Sequence, residues 1–109
     1  MTAKEVGELI RFQVRDNLTA TNDHGISLKQ ALVCPQRISV IARTVQGGRV
    51  MDQKLNAWLV GEEGSIDGYK VIMRDDGLQF GLASSGFPAD KHPILAGWYG
   101  SLMSAFMSM

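Results

Sequence analysis

Residues 37–60, RISVIARTVQGGRVMDQKLNAWLV, decide how this chain folds. Apolar and polar side chains alternate on both sides of Gly47 and Gly48, and β-branched residues are frequent, so the period is two rather than helical. Paired glycines supply the positive φ values that a two-residue hairpin turn needs. The stretch therefore predicts strands over 37–45 and 50–60. Closing on the glycines sets Val45 opposite Val50, Arg43 opposite Asp52, Val40 opposite Leu55 and Ile38 opposite Ala57. Apolar side chains then meet apolar ones across the pair.

Toward the C-terminus, 69–74 and 78–83 predict a second hairpin that turns at Asp76 and Gly77, with Met73 opposite Phe80 and Val71 opposite Leu82. The connection over 61–68 is long enough to leave the order of the middle strands open. After a loop over 84–91, a last helix is expected from Pro93, a residue favoured in a first turn, with Leu95, Trp98, Tyr99, Leu102, Met103 and Phe106 on its apolar face. Toward the N-terminus, Thr2 and Glu5 stand at capping-box spacing and open a helix to about residue 18. Its stripe is Val6, Leu9, Ile10, Val14 and Leu18, and Phe12 falls off it. Residues 19–25 read as a loop, and Ser27 with Gln30 opens a second short helix that Pro35 ends. The expected fold is α+β: a four-stranded antiparallel sheet of two hairpins, packed on N-terminal and C-terminal helices in the order α-(α)-β-β-β-β-α.

With 109 residues, 45% of them hydrophobic and 20% charged, the chain is expected to be one domain, 1–109, with a core of its own. Eleven basic and eleven acidic side chains cancel, so no overall field draws it to nucleic acid or an anionic membrane. Cys34 is the single cysteine, which excludes an internal disulfide. The first seven residues lack the basic and apolar run of a signal peptide. Gly97, Gly100, Ser101, Ser104 and Ser108 break the last uncharged run, so no membrane span is expected and the cytoplasm is the expected compartment.

His24 and His92 form no metal-ligand pair, and no phosphate-binding or nucleophile-elbow motif is present, so no metal, cofactor or catalytic residue is assigned. Cys34 reads as a small buried hydrophobe at a helix end, and Asp75 and Asp76 read as turn residues. A protein without catalytic activity is the favoured reading.

The sheet's second face is more informative. If Val40, Ala57, Met73 and Phe80 point to the helices, the pleat turns Arg37, Ile41, Arg43, Trp58, Lys70, Ile72 and Arg74 the other way. Ile41, Trp58 and Ile72 would form an apolar centre inside a basic ring that also includes Lys54, with Asp52 the only counter-charge and Arg37 placed to cover the Trp58 indole. Three readings compete: a wet sheet whose long side chains shield a few apolar groups, a homo-oligomer interface, or a surface for an anionic or flat partner. Nucleic acid is disfavoured by the zero net charge and the single tryptophan on that face. On the last helix, Gly97, Ser101 and Ala105 are spaced by four beside Trp98, which suits close packing either on the first helix or on a second chain.

The stretches DGYKVIMRDDGLQFGLAS (67–84) and GFPADKHPILAGWYG (86–100) are similar to small uncharacterised bacterial proteins carried in integron gene cassettes. The resemblance spans about residues 37–100 and brings no site residues with it. It implies a compact α+β bacterial protein, often oligomeric, in an accessory role. The resulting expectation is a self-associating binding or adaptor module, with a dimer favoured. The alternative is a binder of, or an enzyme acting on, a small anionic ligand held in a sheet–helix pocket.

Overall fold

The computed structural model describes residues 1–15, 17–64, 68–77, 79–84 and 92–109. Along the chain it places α1 (Ala3–Val14), α2 (Leu28–Ala31), β1 (Leu32–Gln46), β2 (Arg49–Glu62), β3 (Tyr69–Arg74), β4 (Phe80–Ser84), β5 (Ile94–Gly100) and α3 (Leu102–Met107). The α+β class holds, but the open four-stranded sheet does not. Five strands follow one another in sequence order and close into a barrel, β5 lying parallel beside β1 at Ile94 and Ile41. The Ile41 N–H donates to the Pro93 carbonyl at 2.9 Å and fastens that seam.

The extra strand comes from residues expected to open the last helix. Gly97 and Gly100 each cost a helix about 1 kcal/mol relative to alanine. Ile94, Trp98 and Tyr99 in turn suit a pleated surface. Gly100 then takes a positive φ of 85°, and Ser101 caps α3 by accepting from the Ser104 N–H. The helix is therefore short. At the other end of the chain Thr2 and Glu5 form the expected capping box, but α1 stops at Val14, where Arg15 adopts φ 49°. Ser27 and Gln30 likewise cap α2 reciprocally, and Pro35 lies in β1 where its register with β2 shifts between Leu32 and Gln36.

Within each hairpin the expected register is the observed one. Val45 faces Val50, Arg43 faces Asp52 and Ile38 faces Ala57 around Gly47 and Gly48, whose φ values are 56° and 78°. Met73 faces Phe80 and Val71 faces Leu82. Between the hairpins β2 pairs antiparallel with β3, so there is no crossover, and Trp58 comes opposite Met73. That one pairing inverts the first hairpin relative to expectation. Trp58 shares a face with Met73 and Phe80, beneath the helices, while Val40 and Ala57 point the other way.

Both faces are consequently covered. On the outside, Val6, Ile10 and Val14 of α1 and Leu102, Ala105 and Phe106 of α3 pack on Trp58, Val71, Met73, Phe80 and Leu82. Inside the barrel, Val40, Ala57, Ile72 and Ala83 form a second cluster with Ile38, Leu55, Leu95 and Trp98. Phe12, off the α1 stripe, is 63% exposed. The expectations placed on Leu78, on the middle of the 61–68 connection and on most of the 84–91 loop lie outside the described residues.

Candidate functional site

The residues expected to form a bare, basic outer face are dispersed by the barrel. Trp58 is buried at 4% exposure and Ile72 is fully buried inside the barrel, so there is no apolar centre in water. The alternation itself was right; the β2–β3 register and the barrel closure supply covers for both faces. Ile41 is half-buried at the β1–β5 seam. Arg37 does lie over the Trp58 ring, with Cζ 5.2 Å from the centroid, and also pairs with Asp75. Arg43 grips Asp52 at both carboxylate oxygens, at 2.8 and 3.0 Å. Lys70 reaches Glu62 at 3.2 Å and Arg74 reaches Asp76 at 2.9 Å. Asp75 and Asp76 are turn residues as expected, each matched by an arginine.

The small-residue groove expected on the last helix is absent, because Gly97 and Trp98 belong to β5 and Ser101 is the cap of α3. Ala105 is fully buried against the sheet. Trp98 sits opposite Gly81 of β4, where a Cβ would fall 2.4 Å from the Gly97 carbonyl oxygen and 2.7 Å from Trp98 Cε3. Gly81 is bare so that the indole can lie directly on the strand.

Two other features take the place of the expected surface. The first is the outer half of the β1–β2 hairpin. Pairing of β2 with β3 begins only at Ala57, while β1 and β2 stay paired out to Gln46 and Arg49. The result is a two-stranded ribbon that projects from the barrel, in a molecule 46 Å by 31 Å by 21 Å. Every residue from 43 to 54 is exposed. Val45, Val50 and Met51, at 70%, 64% and 53% exposure, are the apolar groups it carries.

The second is a groove of about 610 Å³ along the edge of β2 that β3 leaves open, lined by Lys54, Leu55, Asn56, Arg74, Asp75, Asp76 and Trp98. Lys54, like Arg49 near the ribbon tip, has no ion pair among the described residues. Lys54 was expected in the basic ring of the sheet's second face, and Arg49 was not singled out from sequence. The available signal was Asp52 and Lys54 two apart on one strand, which puts opposite charges side by side on one face.

Electrostatics on the ribbon are local. The hydrogen bonds from Arg43 hold the Asp52 carboxyl below its ordinary range, and the guanidinium charge acts in the same direction. Elsewhere, His24 Nδ1 stands 3.3 Å from Glu63 Oε1, an ion-pair distance without hydrogen-bond alignment, so that oxygen is buried with no donor among the described residues. A smaller groove of about 370 Å³ runs between α1 and the start of β1, past Cys34, which is exposed in β1 rather than buried at a helix end as expected. Among the described residues no group of three His, Cys, Asp or Glu side chains is placed to hold a metal ion, and no helix is long and apolar enough to cross a membrane. No protein-family model, curated protein or solved structure matches the chain.

Proposed function

We propose that this chain is a non-catalytic binding module that works as a homo-oligomer, a dimer in its simplest form, with the projecting β1–β2 ribbon as the contact element. The observation that carries the reading is the ribbon itself. A two-stranded hairpin standing alone in water is marginally stable at best. This one extends well past the barrel and carries Val45, Val50 and Met51 into solvent, so contact with a second surface would stabilise it. The zero net charge adds no repulsion between copies. At the groove, Asp75 and Asp76 each hold an arginine, an arrangement that braces a surface rather than presenting a general base.

Light scattering over a hundredfold range of protein concentration tests the proposal. The expected result is a mass that approaches twice that of the chain as concentration rises, and a monomer throughout would overturn it. A second reading, a small anionic ligand in the groove, is favoured by Lys54, which lines the groove with Trp98 and has no ion pair among the described residues. It predicts a thermal shift with aromatic carboxylates that is lost in Lys54→Gln.

A further inference from the structure

We propose that two copies join through the open edge of β2, strand against antiparallel strand, about a two-fold axis at Gln53. This rests on the self-association just proposed and names its register. The first step concerns which backbone groups face the edge. The Arg74 N–H donates to the Gln79 carbonyl at 2.8 Å, toward β4, so by alternation Met73 is the residue whose backbone faces Trp58 of β2. Backbone groups on β2 that point away from β1 are therefore those of Trp58 and, two by two toward the tip, Asn56, Lys54, Asp52 and Val50. From Asn56 outward no strand of the described residues takes them. Unpaired edges of this kind are templates for strand addition.

The second step is the register. An axis at Asp52 sets that carboxylate against its own image, and an axis at Lys54 does the same to the ammonium. An axis at Gln53 places Asp52 opposite the partner's Lys54 and Lys54 opposite the partner's Asp52, so both charges are matched twice. The same axis sets Val50 opposite the partner's Asn56 and Met51 opposite the partner's Leu55. It joins the edge-facing groups in hydrogen-bonded pairs, for about eight backbone hydrogen bonds in all.

The third step is space. The groove that borders this edge at Lys54, Leu55 and Asn56 is where the added strand lies. The partner's Arg49 falls level with Ala57, where Arg74 ends β3, so the partner's ribbon tip leaves the sheet plane there and carries Arg49 toward Asp75 and Asp76. Lys54 and Arg49, which have no ion pair among the described residues, thus both meet carboxylates.

Charge reversal tests the register. Lys54→Glu and Asp52→Lys each set like charges opposite one another twice per dimer and are expected to weaken homodimerisation by about tenfold or more. Mixing the two variants restores opposite charges at every position, so a heterodimer is expected from two chains that are individually monomeric. Circular dichroism of each variant checks that it remains folded. In a Cys34→Ser background, Gln53→Cys opposes its own image at a separation a disulfide can span, and oxidation is expected to give a covalent dimer, whereas Val50→Cys is not. A wild-type dimer that persists in Lys54→Glu, or that fails to cross-link through Gln53→Cys, overturns this register and leaves self-association standing. A wild-type chain that never dimerises overturns both, and tighter binding of benzoate than of benzamide at Trp98 would then assign the groove to a small anion.

Discussion

Residues 57–61 of β2 are buried on both faces, whereas residues 49–54 of the same strand are exposed on both, although the strand pairs with β1 in each half. Backbone pairing is therefore not what separates the two regions. The inner half has α1 and α3 on one side and the barrel interior on the other; the outer half has neither. Hydrogen-bonded strands can form without burial, but the stability of a domain comes chiefly from apolar surface removed from water, so the barrel should hold the ribbon rather than the reverse.

Trp58→Ala tests that comparison most severely. The indole lies under the helices at 4% exposure, among Met73, Phe80 and Phe106, and its removal leaves a cavity in the main core. A loss of about 3–5 kcal/mol in urea unfolding is expected, against less than about 0.5 kcal/mol for Val45→Ala on the ribbon under conditions where the chain is monomeric. Comparable losses at the two sites would mean that the ribbon is part of the cooperative unit.

Gly81→Ala should have the next largest effect. Its new methyl would press on the Gly97 carbonyl and on the Trp98 ring, and the carbonyl belongs to a paired strand that cannot swing aside. About 1–3 kcal/mol of destabilisation is expected. Because Trp98 also lines the groove, the change should shift its fluorescence. Gly47→Ala, strained at φ 56° but meeting no atom within 4 Å, should loosen the ribbon tip and leave Trp98 unmoved.

The same contrast explains what was legible in the sequence. Gly47 and Gly48 fixed the first hairpin and its register, and both helix caps at Thr2 and Ser27 were readable from spacing alone. The missed information lay in unbroken apolar runs. Ala57-Trp58-Leu59-Val60 and Val71-Ile72-Met73 do not alternate, and such runs mark strands covered on both sides. Reading them as half-wet strands put Trp58 and Ile72 on a surface that the barrel does not have. The fifth strand was missed because Pro93 is a good helix opener, while its neighbours Gly97 and Gly100 weigh against a helix only when counted. Which hairpin faces which way depends on the β2–β3 register, a long-range pairing that no local signal sets. Lys54 was read into a basic ring and Arg49 escaped notice for a related reason: they matter because β3 stops short, and strand length is a property of the assembled sheet.

The smallest expected effect is the acid response of the ribbon. Arg43 donates from Nε and Nη to the two oxygens of Asp52, and these bonds hold the carboxyl below its ordinary range in the folded chain. A carboxyl depressed by folding contributes fully at pH values above its unfolded pKa, and its contribution is lost as pH falls through the lower, folded value. Both side chains are open to water, so the contribution is modest and screened by salt. Acidification should therefore loosen the ribbon before the barrel. In amide exchange, Thr44 and Met51, a pair whose backbone groups face each other across the ribbon, should lose protection below the usual carboxylate range while Val71 and Phe80 keep theirs, and Asp52→Asn should remove the pH dependence at the ribbon. Simultaneous loss at all four positions would show that β2 unfolds as one piece and that its two halves differ in exposure alone.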